Sequence, residues 1–455
     1  MEAWVQHELA TSHFGDIRLS QRFMHIVDQL SQAPHTSIPE AMGNAAEVKA
    51  TYRFWDNDKV NEERILNPHR ARTLGRIKAE RQALVLHDTS EENYTAHAQT
   101  QDLGYLDHPS QRGLKMHTSL AASVQGVPLG ILRHDFWRRD PRELGKASSR
   151  KKPLSQRESR KWLDSFADAN ASIEAPTEII HIADREADLY DLFAAPRPAH
   201  VQFLIRASHN RRLSDGAGKL FEILASTEDL GTLTVEVSAR KGQSTREALV
   251  RLRCAKVRLA APQNKPTAVS EVPLSAIEAY EPHPPKGVKA LRWVLLTTLP
   301  ITGPQQVETY LFYYSLRWLI ERFFYTLKQG CQVEELQLQT AQRLKNAITT
   351  YSLIAWNLMF ILYHSRQAPH TPCEALFPKE QWQILYWRIH RQTPPSEPPT
   401  LQQVIRWIAQ LGGFLGRKGD GQPGIKTFWR GYRLFQELLT LSPLVTFQLP
   451  FVGKA

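Results

Sequence analysis

From residue 310 to residue 331 the chain reads YLFYYSLRWLIERFFYTLKQGC, with no proline and a single glycine near its end. At about 100° per residue this pattern predicts one helix with two unlike faces, stopped by Gly330. Leu316, Leu319, Ile320, Phe323, Phe324 and Leu327 share the apolar face. Tyr314, Arg317, Glu321 and Lys328 share a stripe about 60° wide on the other. One carboxylate, two cations and a phenol are thus within reach of one another. On an arbitrary helix the same stripe would be a solvated face with ordinary ion pairs.

Elsewhere the pattern switches between helix and strand periods. Residues 17–32 predict an amphipathic helix capped by Asp16, with Ile17, Phe23, Ile26, Val27 and Leu30 on its apolar face. Arg18 and Arg22 lie four residues apart there and can face a phosphate backbone together. A second helix is expected from 38 or 39 to 54, where Arg53 stands between aromatic residues. A basic helix follows over 64–78. Short buried strands are expected at 82–86, 178–183 and 201–206, and a hairpin from 118–124 and 127–134. The first two of these strands run into lone aspartates, Asp88 and Asp184. Strand-like alternation over 232–240, 248–261 and 291–300 marks about 212–300 as an inserted β-subdomain. Helices over 340–366, 380–390, 401–411 and 427–439 complete the chain, with a proline-rich break at 393–400. The most apolar run, 351–363, is too short to span a bilayer and contains Asn357, so it reads as a buried helix.

A length of 455 residues predicts two to four domains. The net charge of +11 and pI near 9.5 favour a polyanionic partner, nucleic acid before an anionic membrane. Part of that charge is local: residues 138–161 hold ten Lys or Arg against three acids, an excess suited to a phosphate backbone. Three cysteines without CxxC spacing argue against a disulfide framework or structural zinc and fit a reducing cytoplasm. The first residues have no apolar leader.

Two strand-end carboxylates and one helical carboxylate are what a paired-metal phosphoryl-transfer site requires. Hard oxygen ligands hold two Mg²⁺ ions about 3.5–4 Å apart, beside the attacking and leaving oxygens. Singly, each aspartate is as readily a helix cap or turn residue. Together they need a fold that joins strand ends to a helix, and a ribonuclease H-like sheet is one.

Tyr314, Arg317, Glu321 and Lys328 stand as Y-x2-R-x3-E-x6-K. This resembles the signature of the insertion-sequence-four family of DDE transposases, in the branch typified by transposon five. DREADLY at Asp184 and HDTS around Asp88 are similar to the family's two aspartate motifs. Trp293 stands where the family carries a tryptophan ahead of its signature. GDIRLSQR at 15–22 and YRF at 52–54 resemble the end-binding part, and LGGF at 411–414 with Trp429-x-Gly431 the C-terminal part. The sequence departs from that pattern at Arg322 and Tyr325, the latter replacing a lysine.

The resemblance implies an α/β chain. Residues 1–60 would be a helical DNA-binding domain, 61–370 a ribonuclease H-like catalytic domain with the β insertion, and 371–455 a helical dimerisation domain. Asp88, Asp184 and Glu321 would be the catalytic metal ligands, for two Mg²⁺ ions with Mn²⁺ able to substitute. Tyr314, Arg317, Lys328 and Arg206 would grip the transposon end. Trp293 would stack on a flipped base, where the residues alone favour a core tryptophan. Arg18, Arg22 and Arg53 would bind terminal inverted repeats. The partners implied are double-stranded DNA and a second copy of the chain, with no membrane, in the bacterial cytoplasm at the nucleoid. The chemistry implied is cut-and-paste transposition through a hairpin. A nuclease that joins no ends, and a binding protein without chemistry, are the competing readings.

Overall fold

Side-chain caps start four of the five N-terminal helices. The computed structural model describes residues 1–140, 157–174, 176–214, 216, 218–237, 245–263 and 269–441. After α1 (Ala3–Leu9), Asp16 accepts the Arg18 N–H and starts α2 (Ile17–Gln32), as its sequence predicts. Phe23, Ile26, Val27 and Leu30 are buried, but Ile17 sits in the exposed first turn. The expected helix over 38–54 is two helices, α3 (Ile38–Met42) and α4 (Ala45–Trp55). Gly43 at φ 73° ends the first, and Asn44 caps the second. The basic helix α5 (Glu62–Lys78) leads into the sheet.

The strands are β1 (Gln82–Asn93), β2 (Gly104–Tyr105), β3 (Arg112–Ser123), β4 (Pro128–Trp137), β5 (Glu178–Ala183), β6 (Val201–Arg206), β7 (Gly231–Val237), β8 (Arg246–Ala260), β9 (Glu271–Tyr280) and β10 (Arg292–Thr297). All ten form one mixed sheet in the order β2-β3-β1-β5-β6-β10-β9-β8-β7, with β4 also on β3. β1, β5 and β6 are parallel, and the other pairings are antiparallel. The inserted strands therefore extend the central sheet through β10. β9 has no counterpart among the expected strands, because Pro273 interrupts its run.

One face is covered by α6 (Arg160–Ser172), α7 (Tyr190–Ala194) and α8 (Leu220–Ser226). The other carries α9 (Pro304–Ser315), α10 (Trp318–Tyr325) and α11 (Ala341–Gln367), with the N-terminal helices and α12 (Lys379–His390), α13 (Leu401–Leu411) and α14 (Ile425–Leu441) packed around them. The apolar run 351–363 lies inside α11 and is almost wholly buried. No helix among the described residues is long and apolar enough to cross a membrane.

The β4 backbone is bonded by α5 side chains: Arg70 Nε to the Leu132 carbonyl at 2.7 Å, Arg76 Nε to the Leu129 carbonyl at 2.5 Å, and the Ile131 N–H to His69 Nε2 at 2.8 Å. At the α13–α14 crossing two glycines meet backbone to backbone. A Cβ on Gly431 would lie 1.7 Å from the Ile408 carbonyl oxygen, and one on Gly412 1.9 Å from that of Thr427.

Candidate active site

β1 and β5 pair in parallel up to His87 opposite Ala183, and the next residue on each is an aspartate. Their alternation turns Asp88 and Asp184 toward the face that carries α10. Asp184 ends its strand and caps a short 3₁₀ turn, accepting the Glu186 N–H at 2.9 Å. Asp88 does not end its strand. β1 continues to Asn93 along β3 after its pairing with β5 has stopped, so Asp88 marks the end of one ladder only.

The single helix expected over 310–331 is broken. α9 ends at Ser315, and residues 316–320 are wound by tighter bonds, Leu319 N–H to the Leu316 carbonyl and Ile320 N–H to that of Arg317. α10 follows, and Thr326–Gly330 is a π-helical turn. The two-faced pattern survives this: all six apolar-side residues are buried, while Glu321 is exposed.

Arg317 ties the site together. Its guanidinium lies 3.2 Å from Asp88 Oδ2 and 2.5 Å from Glu321 Oε1. Asp88 also accepts the Thr89 N–H at 2.8 Å. Burial raises the Asp88 carboxyl from 3.8 to about 6; the charges of Asp184 and Glu321 push the same way, and Arg317 opposes them. A carboxyl raised in this way favours the folded state at low pH, and its contribution is lost as pH rises through about 6. At neutral pH the Asp88 carboxylate thus carries a burial cost that a cation relieves.

A divalent metal fits this donor set. The donors are hard oxygens, Asp88 is desolvated, and the Arg317 guanidinium bridges Asp88 and Glu321 where a cation would be favoured. As the side chains stand, no three His, Cys, Asp or Glu among the described residues are close enough to ligate one ion, so Arg317 has to give way. Arg317→Met is therefore expected to destabilise the metal-free protein by about 1–3 kcal/mol, discounted for the exposure of Glu321. It should also enlarge the rise in Tm on adding Mg²⁺. An unchanged Tm in chelator would show that the guanidinium does not hold these carboxylates.

Other expected residues gather nearby. Tyr314 is buried; burial raises its phenol, and the Arg317 and Arg206 cations pull it back. Arg206 Nη2 donates to the Arg292 carbonyl at 3.3 Å. Trp293 is half-buried on the same sheet face, packed on the larger core cluster. Lys328 donates to the Glu91 carbonyl and lies 3.3 Å from Glu334 Oε1. Arg322 is exposed, 5.6 Å above the Trp318 ring and 5.9 Å above that of Tyr325, whose ring packs 5.3 Å from Trp429. Tyr325 therefore joins α14 to the signature segment.

The N-terminal arginines lie apart from this centre. Arg18 is exposed and paired with its own cap, Asp16, at 2.8 Å. Arg22 is paired with Glu47 on α4, which His25 also meets at 3.1 Å. Arg53 is exposed on the wall of a cavity of about 600 Å³ with Lys49, Tyr52, Asp56 and Arg343. Of the basic stretch 138–161, residues 141–156 lie outside the described residues.

On the opposite sheet face a buried relay braces the two aspartate strands. Asn170 Oδ1 meets His181 Nε2 at 2.8 Å, His181 Nδ1 meets His87 Nε2 at 2.8 Å, and His87 Nδ1 meets Ser119 Oγ at 3.0 Å. Burial keeps both histidines neutral, with His181 pushed down to about 3.

Three protein-family models match the chain. Residues 1–60 match transposase DNA-binding, residues 158–358 the transposase DDE domain, and residues 353–441 the transposase Tn5 dimerisation domain. The DDE match contains Asp184 and Glu321 and begins after Asp88, which the β1–β5 pairing places beside Asp184.

Proposed function

We propose, taking the chain as a DDE-type DNA transposase with a Tn5-type dimerisation domain, that it excises and inserts DNA by a cut-and-paste route through hairpin ends. The observation that carries this reading is Asp88 beside Asp184, with Glu321 drawn to them through Arg317. The central strand order β4-β3-β1-β5-β6 supports a ribonuclease H-like core within residues 61–370. The parallel pairing of β1 and β5 stops just before the two aspartates, and ligands gather at carboxyl ends of such parallel pairs.

In this reading Asp88, Asp184 and Glu321 hold two divalent ions, Mg²⁺ in the first place. Such ions supply a stronger oxygen nucleophile at neutral pH and charge neutralisation at phosphorus. The chain's own residues do the rest. Arg317, released from Asp88 when metal binds, stabilises the phosphate. Tyr314, Lys328 and Arg206 hold the distorted strand end. Trp293 receives an unstacked base, which hairpin geometry requires. Arg18, Arg22 and Arg53 track terminal repeats, and residues 371–455 pair two subunits so that each acts on the end its partner holds. Hydrolysis, hairpin closure, hairpin opening and strand transfer are each an in-line displacement at phosphorus, so one site serves all four.

The test uses purified full-length protein, Mg²⁺ and a linear fragment bounded by the inverted repeats that flank its own reading frame. Hairpin-ended excised fragment and joined product are expected. Cleavage without joining would replace this reading with a structure-specific nuclease.

A further inference from the structure

Past Asp88, the alternation of β1 brings Glu92 onto the same sheet face. Glu92 is fully buried, and neither carboxylate oxygen has a hydrogen-bond partner among the described residues. A buried carboxylate without hydrogen bonds needs a counter-charge. Lys328 supplies it, with Nζ 3.7 Å from Glu92 Oε2. The same ammonium is held by the Glu91 carbonyl and by Glu334, which also accepts the Asn93 backbone N–H at 2.8 Å. The lysine is thus fixed from β1 on one side and from the turn after the π-helical segment on the other.

We propose that Glu92 is the positioning residue for Lys328: it holds the ammonium beside the signature helix and yields it when a DNA phosphate arrives. This rests on the reading of Lys328 as a DNA contact. The chemistry favours a loose hold. A carboxylate with hydrogen bonds of its own would keep its charge and retain the lysine. Glu92 has none, and a phosphate that takes the ammonium leaves it to take up a proton.

The surroundings agree. Burial is the main cause that lifts Glu92 from 4.5 to about 7; Lys328 and the nearby Ser90 hydroxyl oppose it, and Glu334 adds to it. The other charged or titratable groups facing this corner are Tyr94, whose hydroxyl is spent on the Val333 carbonyl at 2.8 Å, and Lys115, which pairs with Glu91 and Asp107. Raising the pH through 7 charges Glu92 and tightens its hold on the lysine. DNA-end binding through Lys328 therefore weakens above neutrality, by at most about tenfold per pH unit.

Two measurements on the full chain decide this. In protein carrying ¹³C-methylated lysines, with the Lys328 signal assigned by K328R, that signal is expected to step between pH 6 and 8. The step should vanish in E92Q and persist in E334Q. A wild-type signal without a step, or a step that survives E92Q, overturns the proposal. In fluorescence anisotropy with an end-sequence duplex, E92Q is expected to remove the loss of affinity between pH 7 and 8, and to have no effect in a K328A background. An equal effect of E92Q with and without Lys328 also overturns the proposal. If the step depends on Glu92 but K328A leaves end binding unchanged, the pairing stands and the DNA role of Lys328 falls.

Discussion

Glu321→Ala is expected to reduce cleavage of a DNA end by on the order of 10³-fold or more, while the end is still bound with wild-type affinity. Loss of one ligand of a metal pair removes several kcal/mol of charge stabilisation at phosphorus, and about 4 kcal/mol corresponds to that factor. The structure makes this substitution a clean one. The Glu321 side chain is 56% exposed, and its contact is the Arg317 guanidinium, so alanine leaves no cavity. Arg317 keeps its second partner, Asp88, at 3.2 Å. Thermal unfolding of the variant should match wild type within about 0.5 kcal/mol, as for exposed sites in general. Single-turnover cleavage alongside anisotropy measures both halves. A variant that cuts within tenfold of wild type would remove Glu321 from the site.

Gly431→Ala should produce the largest loss of stability from one added carbon. Its Cβ would stand 1.7 Å from the Ile408 carbonyl oxygen and 2.9 Å from the Gly412 nitrogen. Both neighbours are backbone, so no side chain can swing aside, and α13 and α14 must part. Overpacking costs about 1–3 kcal/mol and occasionally more, and a clash of backbone with backbone belongs at the upper end. Gly424→Ala is the control, since its Cβ meets nothing within 4 Å. Thermal unfolding should separate the two variants by several degrees, and the G431A chain should be nicked first by protease near 412–431. Equal stability of the two variants would mean that the two helices cross more loosely than these distances require. The damage should also reach the chemistry. Trp429 lies two residues away, 3.2 Å from where a Cβ on Gly330 would be and against the Tyr325 ring. Shifting α14 therefore disturbs the segment that holds Lys328.

Much of this architecture is legible in the order of residues alone. The run 178–183 marks its strand to the residue, as does 201–206, and 17–32 and 401–411 mark their helices. Each combines one clear period with a cap or a change of composition at its ends. What is not legible is decided by neighbours distant in sequence. The polar stretch 87–93 carries no apolar run, yet it is strand because β3 supplies the partner, and so nothing local singles out Glu92. The turn at 316–320 has no proline or glycine to announce it; it shows only where Arg317 spans from Asp88 to Glu321. Gly43 does announce the break between α3 and α4, in a stretch expected to be one helix. The two aspartates are each visible as residues, but their standing side by side is a property of strand order.

The same sheet must also stop somewhere. Over Leu129–Leu132 it stops against side chains: an arginine, a histidine and a second arginine take backbone groups of β4 that an eleventh strand could have used. Aggregation by edge-to-edge templating needs such groups free. Here the guard is a helix that follows directly on the N-terminal helices, and His69 within it is tied to Glu8 of α1 at 2.6 Å. Colloidal behaviour in this chain thus depends on its first eighty residues staying folded. A truncation that removes them would expose the β4 backbone before it touched any catalytic group.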